Sequence, residues 1–376
     1  MSTALLLECI RAKPDLERIR NAVSSGVNWE TELDQAGHHN MTPLLYWCMS
    51  QACPDDVPAP VMETLRGRAS ACAGRSLWYA AEMFRVLDGL NAQGIRAIPY
   101  KGPVIAWALY ESPGLREMLD LDLLVEKADA TAARKTLIAL GYEAAFKPEE
   151  LKFYPGSEML FSRDNGMQID LHWHLGPQPF ASWFDPRAVR ARAVTVEIAR
   201  REVPTLSPRD LLRFLCVHAA KHGWISLRDV SDIARLMRFE VDYAAMLADA
   251  EVQGGLRVLL LGLALARDLA GAELPAMVSE RVDSDRGLPA LVAAAKENLV
   301  HGAELQSSGM LRWHWMMLNR PVDRVRLLWG FLLPNTLDRE WMPGLPYVAY
   351  FFVKGLRLAV KYVAPFARSL QFTSKR

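Results

Sequence analysis

Cysteine is scarce and scattered in this 376-residue chain: Cys9, Cys48, Cys53, Cys72 and Cys216 are odd in number and form no C-x-x-C pair. That excludes a disulfide framework and a zinc ribbon, and it fits a reducing compartment in which the thiols serve as packing. Long apolar runs are missing too. No stretch reaches the roughly 18 uninterrupted apolar residues of a spanning helix. The N-terminus has no basic segment, and its short Leu5, Leu6, Leu7 run is soon interrupted by Glu8 and Arg11, so no signal peptide is expected. The expected location is the cytoplasm. Nor is there a surplus of either charge: 44 Lys and Arg stand against 43 Asp and Glu, which removes any general argument for a nucleic-acid partner. The chain has neither a G-x-x-x-x-G-K-[ST] loop nor an H-E-x-x-H helix, so the P-loop and zincin mechanisms lack their motifs.

What is present suffices for substantial cores, since 51% of the residues are apolar. Residues 1–76 read as an N-terminal helical segment with breakers at Pro54, Pro58 and Pro60. Residues 77–205 read as an α+β domain, residues 206–319 as a helical domain opening at Ser207-Pro208, and residues 320–376 as a basic, aromatic C-terminal segment. Within the α+β domain a helical pattern over Leu77–Gly94 leads into a strand ending at Pro99. Further strands are expected at Asp120–Val125, Tyr142–Phe146, Glu158–Ser162 and Met167–Trp173, with an Ala-rich helix from Asp129 to Gly141. Arg163-Asp164-Asn165-Gly166 between the last two strands is a hairpin signal.

Chemistry concentrates in three stretches. Lys101-Gly102 follows the first strand and precedes a short helix, a setting in which backbone N–H groups can meet an anion. In Asp120-Leu121-Asp122-Leu123 the carboxylates alternate with leucines, so a strand would point both carboxylates one way, and paired carboxylates at a strand end suit Mg²⁺. Arg116 could reach a phosphate or pair with a carboxylate. Met167–His174 alternates again. It would set Asp170, His172 and His174 on one face, with Asp170 as a third carboxylate able to take a proton and either histidine able to position substrate.

Lys101-Gly102, Tyr110, Arg116-x-x-x-Asp120-x-Asp122-x-Leu124-Val125, Gly141-Tyr142 and Ile169-Asp170-Leu171-His172-Trp173, in that order, resemble the uncharacterised bacterial nucleotidyltransferase family of the polymerase-β-like superfamily. The likeness is best over about residues 80 to 240, where His218-x-x-x-His222-x-Trp224 and Asp229-x-x-Asp232 also match its helical half. Genes of that family often accompany exopolysaccharide or lasso-peptide biosynthesis. The resemblance implies a palm-like mixed sheet, a nucleoside triphosphate, two Mg²⁺ ions with Mn²⁺ as a substitute, and transfer of a nucleotidyl group to a hydroxyl with release of pyrophosphate. It also implies metal and catalytic roles for Asp120, Asp122 and Asp170, and a phosphate turn at Lys101-Gly102. The superfamily's usual Gly-Ser or Gly-Gly turn is replaced here by Lys-Gly, seventeen residues separate Gly102 from Asp120, and Lys101 with Arg116 would supply the missing charge. The acceptor stays open among sugar, peptide, lipid-linked intermediate, protein and tRNA.

Two rival readings stand beside this one. His172, His174, His218 and His222 would make four imidazoles, as a zinc hydrolase uses, with the last two at i and i+4 on a helix. A catalytically silent palm-like scaffold at the membrane is the other: residues 341–376 carry six Lys and Arg and no Asp or Glu, interleaved with Tyr347, Tyr350, Phe351 and Phe352, which suits a peripheral membrane contact. His38-His39 reads as a polar loop, the cluster from Trp313 to Met317 as a packed helix face, and Asp229 and Asp232 as partners for Arg228 or Arg235 or as a cap on the cleft.

Overall fold

The computed structural model describes residues 4–110, 112–145, 158–176, 180–301, 307–334, 338 and 341–358. Four short helices open the chain, α1 (Ala4–Cys9), α2 (Leu16–Ser24), α3 (Trp29–His38) and α4 (Thr42–Ala52), followed by the long α5 (Ala59–Asn91). The α+β part then contributes β1 (Ile98–Pro99), α6 (Pro103–Leu109), β2 (Leu121–Leu124), α7 (Ala130–Ala139), β3 (Glu143–Ala144), β4 (Glu158–Ser162), β5 (Gln168–His172), α8 (Pro186–Ala191), β6 (Val194–Ile198) and β7 (Arg201–Thr205). Helices complete the described chain: α9 (Pro208–Lys221), α10 (Leu227–Leu236), α11 (Tyr243–Gln253), α12 (Leu256–Ala270), α13 (Ala276–Ser284), α14 (Leu288–His301), α15 (Ser307–Met317), α16 (Pro321–Leu332) and α17 (Ala349–Leu358).

The class is α+β with a five-stranded mixed sheet in the order β1-β2-β5-β4-β3. β2 lies second in it, between β1 and β5, and its four residues are all buried. β2 runs parallel to β5 and antiparallel to β1, and the pairing sets Asp122 opposite Asp170 and Leu124 opposite His172. Crossing back to a parallel neighbour requires a helical connection, and α7 supplies it. The β4–β5 hairpin turns where its sequence signals: Asn165 Oδ1 accepts from Met167 N at 3.1 Å, and Gly166 takes φ +84°. Leu121, Leu123, Ile169, Leu171, Met159 and Phe161 pack with Met83, Val86 and Leu87 of α5 and Leu137 of α7 in one core. The opposite face carries the acidic residues and lies under α9, where Tyr100 meets Phe214 edge-on at 4.9 Å.

Several expected boundaries differ. The first two strands are shorter, so Asp120 precedes β2 and is half-buried rather than fixed in the ladder. β5 ends at His172, and the bend that follows takes His174 out of the alternation. α5 runs through position 76 unbroken. Leu5, Ile19 and Leu45 from the first helices share a core with Leu212, Leu259 and Leu291 from the last ones. The hairpin β6–β7 had no sequence expectation. All five cysteines are free and buried, in keeping with packing. No described helix is long and apolar enough to cross a membrane.

In α17, Lys354 and Arg357 turn inward onto buried Asp338, at 3.6 Å and 2.6 Å, which removes two of the six charges on which a membrane contact was expected. Phe352, by contrast, is 80% exposed. The strand end expected at Phe146 and residues 359–376 of the basic segment lie outside the described residues.

Candidate active site

Asp122 is the hub. Burial alone would raise its carboxyl, but the Lys101 ammonium and the His172 imidazole outweigh burial and hold it below the usual carboxylate range. Lys101 Nζ lies 2.9 Å from Asp122 Oδ2 and 3.9 Å from Asp120 Oδ2. The first contact is an ion pair without hydrogen-bond geometry, since Asp122 Oδ2 is buried with no hydrogen bond. On the other side His172 Nε2 is 3.2 Å from Asp122 Oδ1, and its Nδ1 is 3.2 Å from Glu158 Oε2.

Lys101 reaches this position because of its neighbour. Gly102 has φ +52° and ψ −121°, and a Cβ there would come within 2.9 Å of the Asp120 carbonyl oxygen. The glycine therefore serves the close approach of two backbones, and the turn presses Lys101 toward both carboxylates. Burial opposes the ammonium charge, yet Asp122 and Asp120 prevail and raise its pKa.

Asp122, Asp170 and His172 each offer a ligand atom, and these atoms lie within 4.8 Å of one another. Asp170 is pushed up to about 7, first by burial and then by the charge of Asp122. A crowded carboxylate, a buried Asp122 oxygen that meets an ammonium without a hydrogen bond, and an imidazole within reach form a donor set that suits a divalent cation, and the oxygens favour a hard one. Asp120, the third expected metal carboxylate, stands outside this set; burial and Asp122 raise its pKa.

Two adjoining cavities share Lys101, Asp120, His218 and His222. The inner one, about 220 Å³, adds Asp122, Asp170, Glu158, His172 and Lys221. The outer one, about 280 Å³, adds His38, Asn40, Glu117, Arg228 and Asp229. α9 roofs the inner cavity, and its imidazoles are neutral at physiological pH: burial and Lys101 lower His218 well below its ordinary value, and burial and Lys221 bring His222 to about 4.

Arg116 lines the outer cavity and is paired with a carboxylate, one of the two roles expected of it. It is 4% exposed and grips Asp232 with both Nε (3.0 Å) and Nη2 (2.8 Å), while Tyr110 Oη donates to the same carboxylate at 2.7 Å. Asp232 is thus spent on Arg116, not on Arg228 or Arg235. The pair ties the segment before β2 to α10 and so positions Asp120. The four imidazoles of a zinc site do not assemble among the described residues: His172 alone belongs to the donor set, and His174 lines neither cavity.

Three charged residues of the cleft escaped sequence reasoning. Glu158 sits opposite His172 in the β4–β5 register, a placement the hairpin turn could have revealed. Lys221 and Arg228 bring cations to the inner and outer cavities, and no local motif marks either.

The sequence model of a family described as uncharacterised nucleotidyltransferases matches residues 25–271. Among solved structures the chain is similar to the lincosamide antibiotic adenylyltransferase LnuA with lincomycin bound, at 16% identity over 42% of this chain and 94% of that one, with a TM-score of 0.30. It is also similar to an antigenic nucleotidyltransferase-like protein from Paracoccidioides brasiliensis, at 15% identity over 61% of this chain and 92% of that one, with a TM-score of 0.32. No curated protein matches the chain.

Proposed function

Because the chain belongs to the uncharacterised nucleotidyltransferase family, we propose that it transfers a nucleoside monophosphate from a nucleoside triphosphate to a hydroxyl, with Asp122, Asp170 and His172 holding Mg²⁺, which Mn²⁺ can replace. The observation that carries the reading is the meeting of these three donors across two parallel strands beneath α9. A bound divalent ion there supplies charge that neutralises the phosphates during transfer.

The chain's own residues do the rest. The acceptor oxygen attacks the α-phosphorus, the bond to the pyrophosphate oxygen breaks, and the hydroxyl proton passes to a carboxylate. Asp170 suits that role because it lines the inner cavity beside Asp122 and His172. Lys101 and Lys221 line the inner cavity as cations for the triphosphate and the leaving pyrophosphate. Two cavities that meet at Lys101 and Asp120 fit a reaction with two substrates, the inner one taking the reacting phosphates and the outer one the acceptor. A saccharide or peptide hydroxyl is the acceptor class that the family resemblance favours.

Intact-mass analysis of candidate acceptors incubated with each of the four NTPs and Mg²⁺ tests the reading. Asp122→Asn should reduce nucleotidylation at least about 100-fold, in line with the loss of a group that stabilises charge in the transition state, while leaving the fold intact by circular dichroism. Equal incorporation by wild type and variant would favour the silent-scaffold reading instead.

A further inference from the structure

The Lys101 ammonium occupies the charge position that a divalent ion on Asp122 would fill. It is 8% exposed, 2.9 Å from one carboxylate of the Asp120/Asp122 pair and 3.9 Å from the other. Its backbone cannot retreat easily, since Gly102 is seated against the Asp120 carbonyl. An ion on Asp122 and an ammonium on the same carboxylate repel, which disfavours their holding it together. The displaced ammonium then needs a new anion. Lys101 lines both cavities, and among the described residues the carboxylates around it are those of the site itself. Phosphate oxygens of an arriving nucleotide would supply that anion.

We infer that Lys101 is the resident counter-ion of the Asp120/Asp122 pair and that a nucleotide's phosphates draw it away, so that metal and nucleotide bind as a unit. This rests on the proposed metal site. In its terms the free protein is closed to metal because its own cation is already in place, and the triphosphate is the agent that opens it. Lys221 provides the contrast. It faces the inner cavity with the same charge, yet it makes no ion pair with Asp122.

Mn²⁺ binding, followed by the loss of the free-ion electron paramagnetic resonance signal, tests this on the full chain with and without the four α,β-methylene nucleoside triphosphates. Wild type should bind Mn²⁺ weakly alone and at least tenfold more tightly with the nucleotide it accepts. Lys101→Met should bind Mn²⁺ alone at least tenfold more tightly than wild type, and nucleotide should add less than threefold. Lys101→Gln repeats the measurement should the Met variant fold poorly, and Lys221→Met, which removes a cleft charge without touching Asp122, should change Mn²⁺ affinity less than threefold.

Equal tightening by Lys101→Met and Lys221→Met would reduce the effect to general electrostatics and overturn the inference. So would tight Mn²⁺ binding by wild type without nucleotide. No Mn²⁺ binding by any variant, with or without nucleotide, would refute the metal site itself and the inference with it.

Discussion

Asp170→Asn should stabilise the metal-free protein at alkaline pH and do little at acidic pH. The folded carboxyl titrates at about 7, against about 3.9 in an unfolded chain. Its protonated form is therefore the one the fold prefers. The corresponding stability is fully present below about pH 4 and is lost as the pH rises through about 7. About three pKa units correspond to about 4 kcal/mol, and because Asp170 is only half-buried, solvent screening reduces the expected effect to about 2 kcal/mol. Asparagine keeps the shape of the protonated acid and cannot ionise. Urea unfolding in EDTA, followed by tryptophan fluorescence, should show the variant about 2 kcal/mol more stable than wild type at pH 8 and within about 0.5 kcal/mol of it at pH 4, the residual being the usual scatter of a near-isosteric change. Mn²⁺ together with the nucleotide analogue should erase the wild-type deficit at pH 8. An asparagine variant destabilised equally at both values would refute the argument, because the carboxylate would then be held by favourable contacts instead of crowded by Asp122.

Two further predictions concern the frame of the site. Arg116→Met leaves buried Asp232 with Tyr110 as its remaining partner in that network and should cost about 3–5 kcal/mol in chemical denaturation, the usual penalty for halving a buried pair; a loss under 1 kcal/mol would show that Asp232 finds another cation. Gly102→Ala adds a Cβ against the Asp120 carbonyl at positive φ and should cost about 1–3 kcal/mol. It should also weaken nucleotide-dependent Mn²⁺ binding, and an unchanged affinity would separate the turn from the position of Lys101.

Local periodicity made much of the fold legible. Ser207-Pro208 announced α9, where Ser207 Oγ indeed accepts from Asp210 N at 3.2 Å, and Asn165-Gly166 announced the hairpin. Alternation put Asp122 with the leucines in a strand and Asp170 with His172 on one face, as observed. It failed at the strand ends, because alternation continues on paper after the ladder has stopped: Asp120 and His174 fall just outside their strands. It could not show that Arg116 belongs to Asp232, a partner 116 residues away, or that α9 would roof the acidic face. Such contacts are made by topology, and no window of sequence contains both partners. The seating of Gly102 against Asp120 is of the same kind, since the sequence shows the glycine but not the later backbone that it meets.

The sharing of one core by the first and last helices has a consequence for how the protein is made. Arg235 and Arg238 of the α10 region donate to the carbonyls of Arg11 and Ala12, partners 224 and 226 residues earlier. During synthesis the apolar faces of α1 to α4 emerge long before the helices that cover them. At roughly 5–20 residues per second, the interval is about 10 to 50 s. The nascent N-terminus should thus expose apolar surface until those helices arrive, and a ribosome stalled near residue 200 should display it in a state that a completed chain never shows.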